Sequence, residues 1–135
     1  MRPAPVQAWH DLFEAKNPSL LENILADDVV FYSPVVHTPQ RGKPITQLYL
    51  TAASHVFFND KFTYVRELYS EQDAVLEFTT EVDGIVVNGV DMLHWNEDGQ
   101  ITEFKVMVRP LKAINLIHRL MGEMLERMKG QQPPQ

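Results

Sequence analysis

The sequence predicts a single α+β domain in which a curved antiparallel sheet wraps around helices. Three observations carry this. Segments with helical spacing and segments rich in β-branched and aromatic residues alternate in the order α-α-β-α-β-β-β-β-α. The last four strands are joined by tight turns, Glu71-Gln72-Asp73, Asp83-Gly84 and Glu97-Asp98-Gly99, which make the neighbours antiparallel. A chain of 135 residues, 44% hydrophobic and 22% charged, has the size and composition of one globular domain. The domain is expected over residues 1–130, with a frayed tail over 131–135.

Proline punctuates the helices, because its missing N–H costs nothing in a first turn. The first helix is expected over 5–15, with Val6, Trp9, Leu12 and Phe13 on one side. The second, over 18–25, has Asn17 as cap and Pro18 at its first position, and shows Leu21, Ile24 and Leu25. A short strand, Val29–Ser33, ends at Pro34. The third helix, over 43–57, places Ile45, Leu48, Tyr49, Ala52 and Val56 on one face. Strands follow at Phe62–Tyr69, Ala74–Val82, Ile85–Trp95 and Ile101–Val108. Asn88-Gly89 inside the third of these predicts a bulge or bend. The last helix, over 110–128, runs from Pro110 towards Gly130. Its apolar stripe, Leu111, Ile114, Leu116, Ile117, Leu120, Met121, Met124, Leu125 and Met128, is wider than one core contact needs. A second copy of the chain is the expected cover, giving a homodimer.

Composition narrows the function. There is no cysteine, which removes disulfides, thiol nucleophiles and thiolate metal sites and fits a cytoplasmic location. The net charge is −6 with no basic block, so no nucleic-acid partner is expected. No apolar run reaches the ~18 residues of a membrane span, and Met1–Phe13 lacks the apolar core of a signal peptide. The glycines form neither a phosphate-binding loop nor a dinucleotide fingerprint, so no cofactor is expected. No two histidines have i,i+4 spacing and there is no HExxH, so no metal is expected.

Asp91 is the leading candidate for chemistry. It interrupts an apolar central strand, sharing one face with Leu93 and Trp95, while Val90, Met92 and His94 share the other. Burial without a cation raises a carboxyl pKa and keeps a proton available for donation. The bland alternative is a structural or exposed Asp. His37, in the proline-bracketed loop Ser33-Pro34-Val35-Val36-His37-Thr38-Pro39, is the candidate partner, against a solvated loop histidine. His94 faces away from Asp91, and His10, His55 and His118 lie on helices at positions that need not meet. Ser33 lacks a nucleophile motif around it. Lys105 and Arg109 end the last strand, where Arg109 pairs with an acid, caps the sheet edge or clamps a carboxylate. Trp9, Phe31, Tyr49, Phe78, Trp95, Phe104 and Met107 read first as core, yet some must line any space under a curved sheet. The expected ligand contacts are Trp9, Phe31, Ser33, Tyr49, Phe78, Leu93 and Phe104.

Several strings together resemble the nuclear transport factor 2-like superfamily, and within it the SnoaL-like proteins. They are Leu25-Ala26-Asp27-Asp28-Val29, Ser33-Pro34 through Arg41-Gly42-Lys43, Val90-Asp91-Met92-Leu93 and Asp98-Gly99-Gln100-Ile101, in family order along nearly the whole chain. The resemblance implies a cone-shaped α+β barrel, a pocket between curved sheet and helices, and a dimer. In the ketosteroid isomerases of this superfamily a base Asp precedes the proline after the first strand, where this chain has Ser33. Their oxyanion Tyr falls near Trp9. Their protonated Asp falls on Asp91 and is kept. Epoxide hydrolases of the superfamily need a carboxylate on the last strand, and Phe104–Val108 offers none. Polyketide cyclases of the SnoaL type use an acid in the pocket, which Asp91 supplies, with His37 as its partner. Three readings follow: an isomerase, cyclase or hydratase acting on a small apolar molecule; a binding module without catalysis; and a dimeric interaction module.

Overall fold

A computed structural model describes residues 2–130, so the expected fraying of Gln131–Gln135 lies outside it. Helix α1 spans Ala4–Ala15 and buries Val6, Trp9 and Leu12, the face read from its spacing. It stops at Lys16, whose left-handed backbone turns its N–H onto the carbonyls of Leu12 and Phe13. The expected second helix is split. A 3-10 turn, Pro18–Leu20, is capped by Asn17, which accepts from the Ser19 N–H at 3.2 Å, and α2 covers only Leu21–Ile24.

Strand β1, Leu25–Tyr32, starts four residues before the expected Val29. A two-residue strand β2, Gln40–Arg41, pairs with it, and helix α3, Lys43–Phe57, follows. Strands β3 (Thr63–Tyr69), β4 (Asp73–Val82), β5 (Ile85–Trp95) and β6 (Ile101–Arg109) form the expected antiparallel meander. Asp83 and Gly84 both have positive φ, 49° and 78°, the two-residue turn that matches the twist of the β4–β5 hairpin. Helix α4 spans Leu111–Gly130.

The sheet order is β2-β1-β6-β5-β4-β3. This corrects the all-antiparallel expectation, because β1 lies parallel to β6, with Phe31 opposite Phe104. The pairing arises because β1 is joined to the meander only through α3, a crossover that lets the last strand return in β1's direction. The sheet is curved but does not close into a barrel, since β2 and β3 are its two edges.

Gly89 produces no bulge. Its register is unbroken on both sides, opposite Phe78 and Val108, and the irregularity in β5 falls at His94/Trp95 instead. The glycine is needed for another reason: a Cβ there would stand 2.5 Å from Phe78 Cζ and 2.7 Å from the Met107 carbonyl oxygen. Phe78 lies on the bare backbone of its cross-strand neighbour.

Two apolar clusters fill the space between sheet and helices. One gathers Val6, Trp9, Leu25, Phe31, Leu93 and Phe104 around α1 and β1. The other gathers Phe57, Phe62, Phe78, Ala113, Leu116 and Ile117 around the end of α3 and the start of α4. Among the described residues no helix is long and apolar enough to cross a membrane.

Candidate functional site

The two clusters do not meet completely, and a cavity of about 230 Å³ remains where they face each other. The sheet gives it Phe31, Phe78, Asp91, Phe104 and Val106, and Phe62 comes from the residue just before β3. Trp9 comes from α1, Tyr49, Leu50, Ala53 and Phe57 from α3, and Ser33–Val36 from the loop after β1. Ile117, His118, Met121, Gly122 and Leu125, on one face of α4, close the remaining side. The wall is overwhelmingly aromatic and aliphatic, with few polar groups, the usual character of a small-molecule site.

Asp91 is the polar group held deepest. It faces inward with Leu93 and Trp95, as the strand alternation required, and is 6% exposed. Burial pushes its carboxyl up to about 7, with a hydrogen bond from Tyr64 pulling the other way. That bond, from the Tyr64 hydroxyl to Asp91 Oδ2, is 2.7 Å long. Tyr64 stands on β3 and reaches past β4. Its hydroxyl also accepts the Trp9 indole N–H at 2.7 Å. Burial, and next the Asp91 charge, hold the Tyr64 phenol well above its ordinary pKa, so it stays protonated and donates. The other oxygen of Asp91 has no hydrogen-bond partner among the described residues, and Asp91 belongs to the cavity wall.

His10 stands beside this chain. Its ring meets the Tyr64 ring edge-on at 5.1 Å, and its Nε2 lies 3.1 Å from the Glu67 carboxylate. Glu67 also takes the Tyr69 hydroxyl and Arg2, and together these partners outweigh burial and lower its pKa.

Of the residues expected from the sequence, Trp9, Phe31, Ser33, Tyr49, Phe78, Asp91 and Phe104 line the cavity. Leu93 does not. It is buried in the first cluster, outside the cavity wall. His37 does not join Asp91 either, being exposed and outside the lining. Ser33 is the cause. Its Oγ accepts the N–H groups of Val35 and Val36 at 3.0 and 3.3 Å, curling the loop so that these valines face the cavity and His37 lies past the turn. His94 sits on the outer face and pairs with Asp73 at 2.8 Å. Arg109 reaches Asn88 at 3.4 Å, and Lys105 lies over the Tyr32 ring.

Tyr64 and His118 escaped sequence reasoning. The alternation Phe62, Tyr64 marked an inward face on β3, which the expected pocket left unused. His118 follows Ile117 on the wide stripe of α4 and lies at the mouth, exposed yet part of the wall. Among the described residues no group of three or more His, Asp and Glu is arranged to hold a metal ion.

Residues 6–104 match the model of the SnoaL-like domain. The chain belongs to this family. The matched segment begins within α1, carries β1 to β5, α3 and Asp91, and ends within β6, before α4. A steroid delta-isomerase from Pseudomonas aeruginosa shares 35% identity, with a TM-score of 0.89 over 94% of this chain and 93% of that one. An uncharacterized protein conserved in bacteria, with a cystatin-like fold, from Silicibacter pomeroyi DSS-3 shares 28% identity at a TM-score of 0.82, covering 89% and 84%. An NTF2-like protein from Mesorhizobium loti has the same fold at 18% identity and a TM-score of 0.68, over 78% and 88%. A search of the curated proteins finds no match to the sequence.

Proposed function

We propose that this SnoaL-like protein binds a small, mostly apolar carbonyl compound and shifts a proton at its α-carbon, as isomerases and cyclases do. The carrying observation is Asp91: a buried carboxyl on an apolar wall, protonated up to about pH 7, with one oxygen held and the other free. In the neutral form it hydrogen-bonds the ligand's carbonyl oxygen. When the α C–H breaks, the electron pair moves into a new C=C bond and charge builds on that oxygen, where the Asp91 proton stabilises it. His118 at the mouth takes the α-proton in this scheme and returns it to carbon. The likeness to a steroid delta-isomerase supports the reaction class. Ser33 standing at the position of the isomerases' base, with its hydroxyl spent on the backbone, speaks against copying their route.

The test is deuterium uptake at the α-carbon of 2-tetralone in D2O, followed by NMR. The protein should accelerate uptake by about 10²-fold or more, falling off as the pH rises through 7 because the neutral acid disappears. Asp91→Asn should still bind 2-tetralone and lose the acceleration. Tight binding without acceleration in the unaltered protein would favour the second reading, a non-catalytic carrier, which the engaged Ser33 hydroxyl supports.

We also propose a homodimer. Leu68, Met92 and Met107 are exposed on the outer face of the sheet, and Leu120, Met124, Leu125 and Met128 of α4 are only half-buried. A second copy would remove this surface from water. Sedimentation at micromolar concentration should give twice the 15.6 kDa chain mass, and a single-chain mass would refute the pairing.

A further inference from the structure

We propose that Trp9 is a positioning residue that fixes the direction of the hydrogen-bond chain, so that the proton of neutral Asp91 is presented on Oδ1, the oxygen that Tyr64 does not hold. An indole N–H only donates. Directed at the Tyr64 oxygen at 2.7 Å, it occupies that oxygen as an acceptor. The single phenolic proton is then turned to Asp91 Oδ2, at 2.7 Å. An oxygen that already accepts this bond is the poorer place for the carboxyl's own proton, which therefore sits on Oδ1. Without the indole N–H the chain could reverse. Asp91 would then donate its Oδ2–H to the Tyr64 oxygen, leaving Oδ1 a bare acceptor.

The inference deepens the proposed function but stands on a property of the ligand-free protein, so the two fail separately. The groups able to disturb the reading are few. His10 on α1 and Glu67 on β3 flank Tyr64, Tyr49 on α3 and His118 on α4 face the same cavity, and Asp91 itself has Tyr64 as its hydrogen-bond partner.

The decisive variant replaces Trp9 alone by 3-benzothienylalanine, which keeps the shape of tryptophan and exchanges its N–H for sulfur. The Asp91 midpoint, read from its carboxyl carbon by NMR, should rise by about one pH unit, a tenfold change in proton affinity. Two effects act in that direction: Tyr64 becomes a weaker donor to the carboxylate, and the neutral acid gains an acceptor. Uptake of deuterium into 2-tetralone should fall about tenfold or more, while affinity for 2-methylnaphthalene, which offers no oxygen, should stay the same. An unmoved midpoint would overturn the lock. A moved midpoint in a protein that never exchanges 2-tetralone would keep the lock and discard the catalytic reading.

The unaltered protein gives a second readout that needs no substitution at Trp9. The Trp9 indole N–H resonance should titrate with the Asp91 midpoint, and lose that titration in Asp91→Asn and in Tyr64→Phe. The Trp95 indole, bonded to the Glu71 carbonyl at 3.1 Å, is the internal control and should not respond. A Trp9 titration that survives in Asp91→Asn would refute the coupling.

Discussion

The two glycines beside the cavity make opposite demands on space. On the sheet wall, Gly89 has no room for a single methyl group, with Phe78 and the Met107 carbonyl already in the way. On α4, a Cβ at Gly122 would meet nothing within 4 Å. The neighbours agree with this. Phe78 and Phe104 are 2% and 1% exposed, whereas Met121 and Leu125 on α4 are only half-buried. The sheet wall is held from every side, and it carries Asp91. The α4 wall is loose, and it lies outside the segment that matches the family. Fixed geometry surrounds the buried carboxyl, and tolerance is left on the opposite, α4 wall.

Removing the charge from the tight wall should give the largest effect. Asp91 has its carboxyl at about 7 in the folded protein, against an ordinary 3.8. The folded state therefore holds the proton more tightly. That contribution is complete below about pH 4 and is lost as the pH rises through 7, an amount of about 4 kcal/mol at 1.36 kcal/mol per pH unit. Asp91→Asn cannot ionise. Urea titrations should therefore show the stability of the unaltered protein declining against that of Asp91→Asn between pH 4 and 7, and flat above. A constant difference would mean that the carboxyl is well hydrated and the wall less tight than it looks.

Overfilling the same wall comes next. Gly89→Ala should cost about 3 kcal/mol, because relief requires Phe78 to swing into the cavity or β6 to shift. Ligand affinity should fall with stability. A cost below about 1 kcal/mol would show that Phe78 yields freely, and the contrast between the walls would disappear. The smallest effect belongs to α4. Gly122→Ala should stabilise the protein by about 1 kcal/mol or less, since alanine is the better helix former and nothing crowds the position. Destabilisation there would reveal a packing demand on the loose wall.

The same contrast explains what could be read from the sequence. The tight wall follows from alternation: a carboxylate among apolar residues in β5 announces its own burial, and Trp9, Phe31, Phe78 and Phe104 share faces with residues that must be inside. The helix spacings gave α1 and α3 nearly to the residue. Contacts that depend on strand order were not readable. Tyr64 is 27 residues from Asp91 and bonds to it only because β3 lies two strands away in the sheet. The position of His37 turned on one hydroxyl, that of Ser33, choosing backbone partners. Gly89 signalled something unusual in β5, but a glycine reads alike whether the backbone bends or a ring lies on it. The parallel β1–β6 pair left no local mark, because each strand looks the same whichever direction its neighbour runs.

That pair has a consequence for how the chain is made. Among the described residues β1 is bonded only to the two-residue β2 and to β6. During synthesis β1 leaves the ribosome before residues 101–109, so it meets its long partner only after the strands between them have been made. The hairpins β3–β4 and β4–β5 close locally, but β1 must wait for β6, and such long-range pairing is slow even in the finished chain. In that interval the nascent chain carries a strand paired at most with the two-residue β2, its apolar side chains still unburied, a condition that favours chaperone engagement.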